Sequence, residues 1–284
     1  MSVNKILKYN RRSSKKLGWE PEWFGCDNID EELVDKVKEF QQEFDLDVDG
    51  YVGPATHRRL LLEREDDDQA TGLLINGEIV PIEWDKIKID LIKPGCYSKQ
   101  KRKRIPRMIV THFDVCSSGP ACKRVLENRG ISSHFVIDND GTIIQMVDTN
   151  HTAWHAGSVN RRSIGIDISN AYYVKYQKKY TSKGLPPRPI VEDSVVHGRK
   201  LKPHLGYYPV QIEAYKALIK VLCKHYKIPL ECPLNEDGTL LTGVHGPSSK
   251  AKFKGVVNHY NLTRNKIDTA GLKLDEILKE LREE

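Results

Sequence analysis

The stretch Ser133-His-Phe-Val-Ile-Asp-Asn-Asp-Gly-Thr-Ile-Ile-Gln-Met-Val147 decides the fold class. It reads as two strands, His134 to Ile137 and Thr142 to Val147. Working outward, Ile105 to Phe113 reads as a strand before it and Ser163 to Ile168 as one after it. Pro209 to Tyr226 is the best helix in the chain. It has a proline near its start, and Ile212, Tyr215, Ala217, Leu218, Ile219 and Leu222 gather on one apolar side. Together these segments indicate an α/β class. Residues 172–208, rich in Lys, Pro, Gly and His, read as a long irregular insertion, and His197, His204 and His225 are expected at the surface.

The chain has 284 residues, room for one to two domains, and its 39% hydrophobic content suffices for a packed core. Charge divides unevenly. Residues 1–68 carry 11 basic and 17 acidic side chains, whereas residues 69–284 carry 34 and 22. The run Glu63-Arg-Glu-Asp-Asp-Asp68 at the switch reads as a solvated linker, which sets domains at 1–66 and 67–284. In the first, Leu33, Val37, Phe40 and Phe44 recur at helical spacing from Asp30. Asp49-Gly50 makes a turn, Pro54 suits the start of another helix, and an earlier helix covers about Val3 to Leu17. After the linker, Leu73 to Ile82 reads as a hairpin on Asn76-Gly77.

No membrane span and no apolar leader are visible, so synthesis as a soluble cytosolic chain without a membrane anchor is expected. The six cysteines form no C-x-x-C pair; free thiols are favoured at Cys116 and Cys122, with a bridge between them open in an oxidising compartment. The basic residues Lys99, Lys101, Arg102, Lys103, Arg104 and Arg107 read as a solvated loop. No aromatics interleave there to stack bases, so nucleic acid is not an expected partner.

His112 ends an apolar strand, at the rim where α/β sites form. Near the C-terminus, Val256-Val257 leads to His259, and Lys266 and Asp268 follow. Two neutral imidazoles and a carboxylate suit a hydrolytic zinc site, with Lys266 able to stabilise an oxyanion. Many proteins hold such residues at such separations. The segment Thr242-Gly-Val-His-Gly-Pro-Ser-Ser-Lys250 also offers a histidine, His245, as an alternative to His259.

Two resemblances sharpen this reading. Val37-Lys-Glu-Phe-Gln-Gln-Glu-Phe-Asp-Leu46 and Asp49-Gly-Tyr-Val-Gly-Pro-Ala-Thr56 resemble the three-helix peptidoglycan-binding module of wall hydrolases. The strand ending at His112, the Ser133–Val147 stretch, Ala153-Trp-His-Ala-Gly157, Asn160-Arg-Arg-Ser-Ile-Gly-Ile-Asp-Ile168, the helix with Gln211, and His259 with Lys266-x-Asp268 occur in the order of the zinc-dependent type 2 N-acetylmuramoyl-L-alanine amidases. That resemblance covers roughly residues 105–280 apart from the insertion. It implies a mixed central sheet flanked by helices, behind a small three-helix domain. It also implies one Zn2+ per chain on His112, His259 and Asp268, Lys266 as transition-state stabiliser, and His155 and Trp154 lining the substrate groove. It favours His259, because Lys250 has no carboxylate two positions on, and leaves His245 as the alternative. Asp167 stands where many relatives have a glutamate general base and is one methylene shorter; Ser133 stands where some have a tyrosine, and Thr269 where proline usually follows the ligand. His134 is read as core packing.

The implied activity is hydrolysis of the amide between N-acetylmuramic acid and L-alanine of bacterial peptidoglycan. The implied setting is a monomeric phage endolysin made in the host cytoplasm, reaching the wall through a lesion made by a separate membrane protein. The competing class is a recognition protein of the same fold that binds without cleaving.

Overall fold

In a computed structural model describing residues 3–65 and 72–283, the chain divides into two units, Met1–Ala70 and Thr71–Glu284. The first holds α1 (Val3–Leu17), α2 (Glu31–Glu43) and α3 (Pro54–Glu65). Asp30 caps α2, its carboxylate accepting the Leu33 N–H at 3.3 Å. The apolar stripe then carries Leu33 and Val37 into a core with Trp19, Phe24, Val52 and Leu60. The expected linker begins later than the charge run suggests. Glu63, Arg64 and Glu65 extend α3, because Leu-Leu-Leu-Glu-Arg-Glu is composed of good helix formers; Asp66 to Asp68 lie outside the described residues.

The second unit opens with β1 (Gly72–Ile75) and β2 (Glu78–Pro81), joined by Asn76 and Gly77, both at left-handed φ (55° and 82°) as a two-residue hairpin requires. Next come β3 (Ile87–Ile89), β4 (Tyr97–Ser98), β5 (Met108–Phe113) and α4 (Gly119–Asn128). They are followed by β6 (Phe135–Ile137), β7 (Ile143–Gln145), β8 (Thr152–Ala153) and β9 (Ser163–Ile168). The strand expected from Ile105 begins at Met108; Pro106 has no N–H to offer a ladder. Then come α5 (Gln177–Thr181), β10 (Ile190–Val191), β11 (Val195–Val196), β12 (Arg199–Lys200) and β13 (His204–Leu205). The chain closes with α6 (Pro209–Tyr226), α7 (Gly246–Ser249), β14 (Gly255–Asn258) and α8 (Leu274–Glu283).

Six strands form the central sheet in the order β14-β5-β9-β6-β7-β3, parallel throughout except between β6 and β7. The mixed sheet and its flanking helices are those implied by the resemblance. Alternation in β9 assigns the two faces. Ile164, Ile166 and Ile168 join the large core with Ile109, Phe135, Tyr215, Leu218 and Leu278 from strands, α6 and α8. Ser163, Gly165 and Asp167 therefore lie on the other face, together with Val110 and His112 of the paired strand β5.

The insertion is not irregular. Its short strands pair, β10 with β13 and β11 with β12. Arg188, 2% exposed, donates to the carbonyls of Gly206 and Ser169 at 2.9 and 2.7 Å, and its guanidinium lies 4.5 and 4.4 Å from the rings of Tyr180 and Tyr208. His204, expected at the surface, is buried: it stacks on Tyr172 and bonds Ser194 Oγ at 2.8 Å. Composition suggested a loop because this segment is held by buried polar groups whose partners lie several to some thirty residues away, within it and at its edge, where no local pattern records them. His197 and His225 are half-buried.

Candidate active site

Strands β14, β5 and β9 run parallel side by side, so their carboxyl ends meet at one rim. His112, next to last in β5, pairs in register with Asp167 of β9, and His259 follows β14 directly. The Tyr260 N–H donates to the Asp268 carbonyl at 2.9 Å and draws the last residue in. The result is a buried cluster. His112 Nδ1 is 2.9 Å from His259 Nδ1 and 3.1 Å from Asp268 Oδ2, and His259 Nδ1 is 2.8 Å from the same oxygen. Among the described residues this is the group able to hold a metal ion, its ligand atoms all within 4.8 Å. Bonds of about 2.0–2.1 Å in a tetrahedral zinc site put ligand atoms roughly 3.3 Å apart. Both the spacing and the N,N,O donor set fit zinc.

Protonation favours the same use. Burial, then the neighbouring His112, holds His259 below the ordinary histidine range. Burial would raise Asp268, but its hydrogen bonds to His112 and His259 and their charge override this and hold it well below the carboxylate range. A neutral imidazole at His259 and an ionised carboxylate at Asp268 are forms that ligate metals. His112 Nε2 lies 2.9 Å from His155 Nδ1, His155 Nε2 lies 3.2 Å from Ser163 Oγ, and that hydroxyl donates to Val159 O at 3.0 Å. If each group donates onward along this chain, His112 keeps the Nδ1 lone pair free for a metal. Burial, then His112, keeps His155 well below its ordinary pKa. Its ring lies on Gly165, where an added Cβ would meet it at 2.6 Å. His155 thus lines the cavity with both nitrogens engaged.

The cluster opens on a cavity of about 230 Å³ that Asp167, Lys266, Trp154 and His155 also line. Burial pushes the Asp167 carboxyl above its usual range, partly opposed by His112. Lys266 is exposed, its carbonyl bonded to His197 Nε2 at 2.9 Å. The Trp154 indole N–H donates to Ser98 Oγ at 2.9 Å. His245 lies apart from the cluster, before α7, with Nδ1 2.7 Å from Ser248 Oγ. Cys116 and Cys122 are free thiols on the cavity wall.

The family model for N-acetylmuramoyl-L-alanine amidase matches residues 101–270, more than half of the chain. The chain belongs to this family. A second model, for a peptidoglycan binding domain, matches residues 18–60. Similar solved structures include the N-acetylmuramoyl-L-alanine amidase LysC from Clostridium intestinale URNW (20% identity, 69% of this chain and 97% of that one, TM-score 0.42). Another is a mutant endolysin from Bacillus subtilis (20% identity, 69% and 98%, TM-score 0.39). No curated protein matches the chain.

Around the centre of this amidase, sequence reasoning missed Arg104, Ser163, Gly165, and Phe113 and Arg129 on the cavity wall. Arg104 corrects the reading of 99–107 as a solvated loop: it is 7% exposed. It donates to the carbonyls of Thr149, His151 and Asn160 at 3.0, 2.8 and 3.0 Å, and also to Ser163 O. Burial brings its pKa down to about 10. Its Nη1 is 3.1 Å from His134 Nε2, and His134, fully buried as expected, accepts the Gly165 N–H at 3.0 Å. Arg104→Ala is expected to cost about 3 kcal/mol, because several buried carbonyls lose a charged donor. Thermal unfolding of the full chain should show a drop of roughly 6–12 °C, and Arg104→Lys should recover little of it, since an ammonium lacks the planar fork.

Proposed function

We propose that the chain is a zinc-dependent wall amidase of the phage endolysin type, with residues 1–66 as a wall-binding module and 67–284 as the catalytic domain. It would cleave the amide between the lactyl group of N-acetylmuramic acid and L-alanine. The observation that carries the reading is the convergence of His112, His259 and Asp268 in the cavity that Lys266 and Asp167 also line. These three residues would hold the zinc. When bound, zinc supplies Lewis acidity toward the carbonyl and lowers the pKa of water. Asp167, a buried carboxylate of raised pKa, takes a proton from the attacking water and returns it to the departing nitrogen. The Lys266 ammonium, which no described carboxylate pairs, stabilises negative charge on the carbonyl oxygen. Trp154 walls the groove.

The test is digestion of purified peptidoglycan, scoring newly freed amino-terminal alanine. Release that stops with chelator and returns with added zinc is expected. Tight wall binding without alanine release on any wall type would instead leave a recognition protein.

A further inference from the structure

In the first unit, a cavity of about 650 Å³ lies between α1 and the connection from α2 to α3. Lys5, Lys8, Tyr9 and Arg12 line it from the helix, and Asp47 and Tyr51 from the connection. The spacing along α1 explains the wall. Ile6, Asn10 and Ser13 turn inward, leaving the cations on an adjacent exposed face. Both sides are pinned. Asn10 donates to Gly50 O at 3.0 Å and accepts from Val52 N at 2.9 Å, and Ser13 donates to Val52 O. Across the gap, Gln41 accepts from Asp49 N and Gly50 N at 3.0 and 2.8 Å and donates to Tyr51 O at 3.1 Å. The Tyr9 and Tyr51 rings meet edge-on, 4.9 Å apart.

Charge indicates the occupant. All six charged residues of α1 are cations, whereas residues 18–68 carry five cations and seventeen anions. Asp49 already accepts from Gln41 and Tyr51 N. Lys5, Lys8, Arg12 and Asp47 form no ion pair with another described residue. Three cations without an ion-pair partner among the described residues face two carboxylates, Asp47 and the hydrogen-bonded Asp49. With tyrosine rings near, they suit a short peptide bearing several carboxylates and an ammonium. A neutral sugar chain would leave the cations unanswered, and a polyphosphate would meet Asp47. We propose that this cavity binds the stem peptide of peptidoglycan, with α1, which lies before the matched residues 18–60, supplying the carboxylate-binding wall. The inference rests on the wall-binding reading of this unit.

The test uses the full chain with chelator present, so that the wall stays intact, and measures binding to purified peptidoglycan. Combined Lys5→Glu, Lys8→Glu and Arg12→Glu should weaken retention about tenfold or more. Free stem tetrapeptide should displace the wild-type chain, and glycan strands stripped of peptide should not retain it. Alanine release from a small soluble muropeptide, measured without chelator, should stay within about twofold, since that reaction needs no anchoring. Undiminished retention of the variant, failure of the peptide to compete, or equal binding to stripped glycan would overturn the proposal. The peptide competition needs no variant, so misfolding of the triple substitution leaves the idea testable. A wild-type chain that neither binds nor cleaves any wall would instead sink the proposed function.

Discussion

His259→Ala is expected to remove bound zinc and, with it, alanine release from peptidoglycan. In the proposed site the imidazole would supply one of three donors, and its Nδ1 lies 2.9 and 2.8 Å from the other two. Without it, His112 and Asp268 make a two-point site from opposite ends of the domain, too few for a tetrahedral ion that must also keep a position open. Zinc held there would supply several kcal/mol of transition-state stabilisation, so activity should fall roughly 10³-fold or more. Metal content, measured on the purified chain, should drop from one equivalent toward none. His245→Ala is the matched control. That ring sits beside Ser248 before α7 and should leave both quantities unchanged. Zinc-dependent activity that survives loss of His259 would remove it from the ligand set.

Lys266→Met should separate metal binding from chemistry. The side chain lines the cavity but is no part of the ligand cluster, so bound zinc should stay at one equivalent. Removing a preorganised donor to the oxyanion typically costs about 10²–10³ in kcat, and the same is expected here with KM little changed. Lys266→Arg should restore part of the rate, because a cation returns with different reach and geometry. Loss of metal together with rate would mean that Lys266 instead holds the loop carrying Asp268.

The alternation in Ser163-Ile-Gly-Ile-Asp-Ile168 made one face of the sheet legible, since branched apolar residues at every second position can only face a core. The same alternation places Ser163, Gly165 and Asp167 on the site face. His112 and His259 were legible as strand ends, but their convergence was legible only through the family resemblance, because strand order in a sheet is a property of packing. Arg104, Arg188 and His204 escaped for another reason. Each is a polar residue in a polar stretch, and its burial depends on carbonyls or rings contributed from far along the chain. No local pattern records such partners. His155 was read as part of the groove, whereas its tie to His112 depends on its ring lying over Gly165.

Strand β14 stands at the margin of the sheet, hydrogen-bonded within it to β5 alone. The candidate ligands that follow it, His259 and Asp268, lie 147 and 156 positions from His112. An ion shared by these three residues would act as a rivet across a loop of that length. Closing so long a loop is a substantial entropic cost of folding, and a cross-link that forms only in the folded chain offsets part of it. The same ion that would serve chemistry would thus fasten the outermost strand, and losing it would loosen the domain from that margin inward.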